Sequence, residues 1–290
     1  MKVDKASRTA QYMAFFRALE STRPADKRLF SDPYAIYFLN NGLRRAVRYS
    51  PVPFVRRMIQ RIIHRRIPGG FSSGIARTRY IDDLLKSTID KGVQQVIMLG
   101  AGFDTRSIRL NFLRDIPVIE IDHPNTAKQK LGALQSNMGK LPANSRFYQI
   151  DFNEQSLEDL ASTRNIEMNI PTTFIWEGVS NYLSDEAVER TFSFFEKFRS
   201  GSYIIFTYVH RQVLEEPHSF FGAEKLLNDL ANLEERWTFG WYPEELPAYL
   251  EKFHCTLLED KGAGEYREQY MPERPERGYE FYRVGIAVRD

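Results

Sequence analysis

From Val93 onward, short apolar runs alternate with amphipathic segments, and this alternation constrains the fold more than any other feature of the chain. VQQVIML is followed by TRSIRLNFL, PVIEI by NTAKQKLGALQ, RFYQI by QSLEDLA, TTFIW by DEAVERTFSFFEKF, and SYIIFTYV by FGAEKLLNDLANL. Strands that are apolar on both faces must be covered on both sides, and a helix after each strand returns the chain for a parallel neighbour. FHCTLLED and YEFYRVGIAV read as two final strands with a turn-rich stretch between them, the last one antiparallel. Before Lys91 the pattern is helical instead. Asp4–Leu19 and Pro33–Arg48 are predicted helices separated by the breaker-rich STRPADKRLFSDP. Val55–Arg66 places Val55, Met58, Ile59, Ile62 and Ile63 on one helical face, and Ile75–Ile89 continues after the Gly69-Gly70 break. With 290 residues and no internal repeat, the expectation is one α/β domain over 1–290. A helical cap would occupy 1–91 and a Rossmann-like core 92–290, with an insert near 209–241.

A 42% apolar content with 13% aromatics is enough for a sizeable core and argues against disorder. The net charge of +2 creates no global field that demands a polyanionic partner. The single cysteine, Cys255, cannot form an intramolecular disulfide, which fits a reducing compartment. MKVDKASRTAQYMAFF lacks the apolar stretch of a signal peptide, and no run approaches a membrane span, so a cytoplasmic protein is expected. Residues 44–66 hold eight arginines (44, 45, 48, 56, 57, 61, 65 and 66) and no acid. Such a stretch could dock nucleic acid or an anionic membrane, but the solvated face of a helical cap is the preferred reading, and neither partner is expected.

In open α/β sheets ligands bind outside the carboxyl ends of the strands, so the residues at the strand exits carry the functional signal. The first exit is Gly100-Ala101-Gly102, whose glycines permit a tight turn and close approach of a ligand. The dinucleotide fingerprint would need glycine where Thr105 stands, and the phosphate loop is absent. Asp104 then opens the next helix, where its charge caps free amides but discourages a phosphate. A nucleoside ligand with positive charge and no phosphate fits better, and S-adenosylmethionine has those properties. At the second exit Asp122 lies 22 residues after Gly100, near the ~20 expected for a ribose-binding acid, with Glu120 on the same face. Asp151 with Phe152 marks the third exit and could meet an adenine. Glu177 before Gly178 marks the fourth, and could hold the cofactor or a cationic group. Each acid alone could be a surface charge or a structural ion pair; four at successive exits make chance a poorer explanation.

GAGFDTRSIRL, EIDHP, EGVSNYL and the upstream ARTRYIDDLL resemble the leucine carboxyl methyltransferase family of S-adenosylmethionine-dependent enzymes. RALESTRPADKRLFSDPYA and WTFGWYPEEL are similar to its small bacterial branch, and the likeness runs from about Gln11 to Val288. It implies a seven-stranded class I methyltransferase sheet and an S-adenosylmethionine cofactor. It also implies that Arg77 binds the cofactor's carboxylate, that Gly100, Ala101, Gly102 and Asp104 form the cofactor turn, and that Asp122 takes the ribose. Asp151, Phe152 and Glu177 complete the cofactor site, Arg17 is the candidate basic residue of the N-terminal helix, and Tyr182 lines the acceptor pocket as the candidate catalytic residue. The elements with which phosphatase-specific members read a peptide C-terminus have no match here.

A carboxylate acceptor, ionised above a pKa near ~4, needs no base, whereas a phenol near ~10 does. His123 and His210 are the histidines at strand exits, and neither is assigned that role. The expected reaction is therefore O-methylation of a small-molecule or peptide carboxylate, with no metal. Donors to that carboxylate could come from Arg106, Tyr182, Tyr208, Tyr266, Arg267 and Tyr270. The rivals are methylation of a hydroxyl or phenol, a nicotinamide oxidoreductase, and a binding module that uses the arginine-rich segment.

Overall fold

The computed structural model describes residues 8–150 and 155–290. Among the described residues four α-helices precede the first strand: α1 (Arg8–Ser21), α2 (Asn41–Tyr49), α3 (Pro53–Arg66) and α4 (Gly70–Asp90). The helix expected over 33–48 is broken. Ala35–Phe38 forms a single 3-10 turn, Leu39 is extended, and α2 starts afresh. Asn40 causes the restart, because its side chain accepts the free Leu43 amide at 3.0 Å as an N-cap. Buried Asp32 fixes the preceding turn by accepting the amides of Tyr34 and Ala35.

Beyond α4 the chain alternates as its pattern predicts. β1 (Gln95–Leu99) leads to α5 (Arg106–Arg109), β2 (Val118–Asp122) to α6 (Pro124–Met138), and β3 (Ser145–Gln149) to α7 (Leu157–Arg164). β4 (Thr172–Trp176) leads to α8 (Asp185–Phe195), and β5 (Tyr203–Val209) to α9 (Gln212–Glu215) and α10 (Ala223–Asn232). α11 (Leu246–Glu251), β6 (Cys255–Gly262), α12 (Ala263–Tyr270) and β7 (Tyr282–Arg289) close the fold. The strands form one sheet in the order β3-β2-β1-β4-β5-β7-β6. The first five are parallel, and β7 runs antiparallel between β5 and β6. The two faces of the sheet carry separate cores. Ile97, Leu99, Phe174 and Trp176 pack with the aromatics of α8 on one side, while Val96, Met98 and Ile175 pack with Tyr80, Ile81 and Leu85 of α4 on the other. A third core, built on Phe15, Phe16, Leu19, Phe38 and Ile59, joins the cap to Phe103 of the glycine turn.

Two expectations are corrected here. The segment between the last two strands is not simply turn-rich, since it contains α12. Its GAGE start hides a helix N-terminus, where the Glu265 side chain reaches back to accept the Gly262 amide at 2.7 Å. The segment TRSIRLNFL makes the single turn α5, is extended at Leu110, and ends in a 3-10 turn over Asn111–Leu113. The insert after β5 leaves and returns at one point: the Arg211 amide donates to Trp241 O at 2.9 Å, and the Trp241 amide donates to Val209 O at 3.2 Å. Among the described residues no helix is long and apolar enough to cross a membrane.

Candidate active site

The turn after β1 is built for closeness. Gly100 and Gly102 have φ of +64° and +48°, and a Cβ on Gly100 would stand 2.3 Å from Val179 Cγ2 in the loop after β4. Two neighbours hold the turn from outside. The Asp122 carboxylate accepts the amides of Gly102 and His123. Arg17 Nη2 donates to Phe103 O at 2.5 Å while its Nε pairs with Asp32 at 2.8 Å, and Asp32 also accepts from the Thr105 hydroxyl at 2.6 Å.

A chain of alternating charges runs below the turn. Arg77 Nε donates to Glu177 Oε1 at 2.9 Å, and Arg106 Nη1 donates to Glu177 Oε2 at 2.7 Å and also to Asp104. Arg106 Nε reaches Asp82 at 2.8 Å, and Arg109 forks onto both oxygens of Asp82 at 2.6 and 2.7 Å. Three guanidiniums thus face three carboxylates, which is what allows so many charges to be buried together. Burial alone would push the Asp104 and Glu177 carboxyls up. The guanidinium of Arg106, helped by Arg17 at Asp104 and by Arg77 at Glu177, outweighs it and holds both below the usual carboxylate range. Asp122 lacks so close a cation, and burial leaves its carboxyl raised despite the two amides it accepts.

These groups line one end of a cavity of about 850 Å³. Arg77, the Gly100–Asp104 turn, Glu177 and Gly178 form the strand-exit wall. Phe15 and Phe16 of α1, Ile59, Ile62 and Ile63 of α3, and Leu226 and Leu230 of α10 form an apolar roof. Tyr182, Trp237, Tyr279 and Tyr282 lie along the remaining wall. The Tyr182 hydroxyl is pushed up to about 12 by burial, against the opposing effect of neighbouring Trp237 and Thr9.

Of the residues singled out from sequence, Arg17, Arg77, Gly100, Ala101, Gly102, Asp104, Glu177 and Tyr182 line the cavity. Asp122 stands behind the turn it holds and is not among the lining residues, and Asp151 and Phe152 lie outside the described residues. Glu120 is withdrawn from the site by Lys130 and by the Ser107 hydroxyl at 2.7 Å. Five proposed carboxylate donors are corrected, because none lines the cavity. Arg106 is 2% exposed and held through Nε by Asp82 and through Nη1 by Asp104 and Glu177. Tyr208 donates to Asp260 at 2.8 Å, Tyr266 shares a hydrogen bond with Ser73 at 2.9 Å, Arg267 pairs with Glu280, and Tyr270 donates to Asp83 at 2.9 Å. His123 and His210 are also outside the lining.

Sequence reasoning missed Tyr282, whose ring lies under the Arg77 guanidinium at 4.5 Å. The signal was available. An antiparallel last strand begins where its parallel neighbours end, and Tyr282, the first residue of β7, pairs with Val209, the last of β5. Trp237 and α10 come from the insert after β5, a segment expected to shape the pocket, but no residue-level marker singles them out within it.

A sheet in this order with an antiparallel seventh strand, carrying a glycine turn and acids at its strand exits, defines the class I methyltransferase fold. Solved structures agree on the architecture. A protein titled a putative methyltransferase from Thermobifida fusca aligns over 94% of this chain and 97% of its own, with a TM-score of 0.58 at 18% identity. A DUF574 family protein from Streptomyces avermitilis aligns over 98% of both chains, with a TM-score of 0.59 at 13% identity. The leucine carboxyl methyltransferase family model matches residues 10–196. A Streptomyces coelicolor protein described as a "putative S-adenosyl-L-methionine-dependent methyltransferase" is 33% identical over 71% of this chain and 70% of its own length. A Streptomyces avermitilis protein of the same description is 30% identical over 78% and 75%. The chain belongs to the leucine carboxyl methyltransferase family.

Proposed function

We propose that this protein transfers the methyl group of S-adenosylmethionine to a carboxylate oxygen of a small-molecule or peptide acceptor. The observation that carries this reading is the charge layout of the cavity. Asp104 and Glu177 keep their negative charge along the strand-exit wall beside Arg77, so carboxylates and a guanidinium stand together there for a ligand that carries both an ammonium and a carboxylate. The donor set also fits the cofactor. Arg77 is tied to Glu177 through Nε and donates weakly through Nη2 to Met13 Sδ at 3.6 Å, which leaves Nη1 to a carboxylate. The glycine turn gives the adenosine half close access to backbone, and Asp122, Asp151 and Phe152 are assigned to ribose and adenine through the family motif. Bound there, the cofactor supplies an electrophilic methyl group.

The chain's own task is then alignment of the acceptor oxygen with that methyl, a matter of proximity and orientation. An acceptor carboxylate is ionised at neutral pH and needs no base. The Tyr182 hydroxyl, pushed up to about 12, keeps its proton at neutral pH and serves as a hydrogen-bond donor to the acceptor. The test uses cofactor labelled in the methyl group and a panel of carboxylic acids and peptides. Methyl esters release the label as volatile methanol in mild alkali. A product whose label survives alkali is not a methyl ester and overturns carboxyl methylation in favour of another acceptor, such as a hydroxyl.

A further inference from the structure

We propose that the outer face of α2 and α3 docks the protein on an anionic membrane surface. Helix α3 carries three i, i+4 rows. Val55, Ile59 and Ile63 form the row that packs inward, with Ile59 buried. Phe54, Met58 and Ile62 form a second apolar row that nothing covers, at 73%, 46% and 50% exposure. Arg57, Arg61 and Arg65 form a third, exposed beside the second. Tyr49 and Val52, at the turn leading into α3, extend the apolar row at 60% and 50% exposure. The apolar arc of the helix is therefore wider than the core beneath it requires, and its surplus lies next to a line of cations.

Charge complementarity selects the occupant. Residues 33–81 contain no acid, and among the described residues Arg57, Arg61 and Arg65 form no ion pair. Arg44 and Arg56, by contrast, are spent on carbonyls of the cap itself. A helix that offers large apolar side chains beside arginines, with too many charges to cross a bilayer, is suited to lie in the headgroup plane. Each arginine gains there from anionic lipid, and the apolar row enters the acyl boundary. A nucleic acid would use the arginines but leave Phe54 and Met58 in water. A second copy of the chain would bring arginine row against arginine row. Because Ile62 also lines the cavity, docking sets the cavity wall at the membrane interface.

The experiment is co-sedimentation of the full chain with vesicles of phosphatidylglycerol mixed with phosphatidylcholine, compared with phosphatidylcholine alone. It is independent of the acceptor chemistry, since it needs neither cofactor nor acceptor. The expected result is sedimentation with the anionic vesicles only, weakened by salt. The triple variant Arg57→Glu, Arg61→Glu, Arg65→Glu is expected to lower the partition coefficient by about a hundredfold or more. Phe54→Ser with Met58→Ser is expected to lower it by about tenfold or more while preserving the salt dependence. All five positions are exposed, and an unchanged melting temperature checks that the variants fold. Absence of sedimentation at low salt, or equal binding to neutral vesicles, overturns the proposal. So does binding to single-stranded RNA that the Phe54 and Met58 variant leaves intact, or a concentration-dependent dimer that this variant abolishes.

Discussion

Arginine is used in two ways in this protein. At the strand exits Arg77 and Arg106 are 4% and 2% exposed and bonded to Glu177, Asp104 and Asp82. On α3, Arg57, Arg61 and Arg65 are exposed and pair with no carboxylate among the described residues. The buried set cannot move without leaving an uncompensated charge, so it fixes the wall against which a ligand must fit. The surface set gives up little when it changes partners, which suits a face that meets something outside the molecule. The cavity lies between the two, with a wall set by electrostatics and a roof set by apolar packing.

Breaking the buried set should have the largest effect. Arg106→Met leaves Asp104 without its guanidinium partner and Glu177 with one, and is expected to cost about 3–5 kcal/mol of stability in urea unfolding. A loss below about 1 kcal/mol would mean that Arg77 and Arg109 hold the carboxylates on their own. On the roof, Ile59→Ala removes a side chain that is 8% exposed and is expected to cost about 2–3 kcal/mol in the same experiment. Arg77→Gln acts on binding, since it removes the cation assigned to the cofactor's carboxylate. Calorimetric titration with S-adenosylmethionine should show a loss of about 2–4 kcal/mol, or roughly thirty- to a thousandfold, with Arg77→Lys intermediate. Unchanged affinity in Arg77→Gln would leave Arg77 a purely structural partner of Glu177.

The buried set also fixes a pH dependence. The Asp104 and Glu177 carboxyls are depressed in the folded state, so their stabilisation is complete above their ordinary values and is lost as pH falls through the depressed ones. The melting temperature should therefore keep this contribution from about pH 8 to about pH 5 and lose it only below about pH 4. Asp104→Asn should flatten that acid limb; an acid limb as steep as in the unaltered protein would place the titrating groups elsewhere.

The wall was legible in the sequence and the roof was not, for a physical reason. Gly100, Asp104 and Glu177 sit within a few residues of a strand end, and a parallel sheet brings every such end to one edge, so alternation alone places them together. Arg106 was also visible, but its spacing could not reveal that Asp82, on a different helix, would bind it and keep it from the cavity. Tyr208, Tyr266, Arg267 and Tyr270 were misplaced in the same way, each bound by a partner distant in sequence. The roof depends on how α1, α3 and α10 settle over the sheet, which is long-range packing with no local mark. The periodicity of α3 showed that it is apolar on one side, but not that only one of its two apolar rows would find a core.

That division of α3 yields the smallest effect and the most specific one. Phe54 and Ile59 are both large apolar residues of one helix, and a hydrophobicity pattern treats them alike. Ile59 gives up packing when shortened, whereas Phe54 is 73% exposed and has little packing to lose. Phe54→Ser is therefore expected to change stability by less than about 0.5 kcal/mol in urea unfolding. A loss near that of Ile59→Ala would mean that Phe54 is covered in solution, either by this chain in another arrangement or by a second copy. The second copy would make the loss depend on protein concentration, because mass action ties the stability of an associating chain to its concentration.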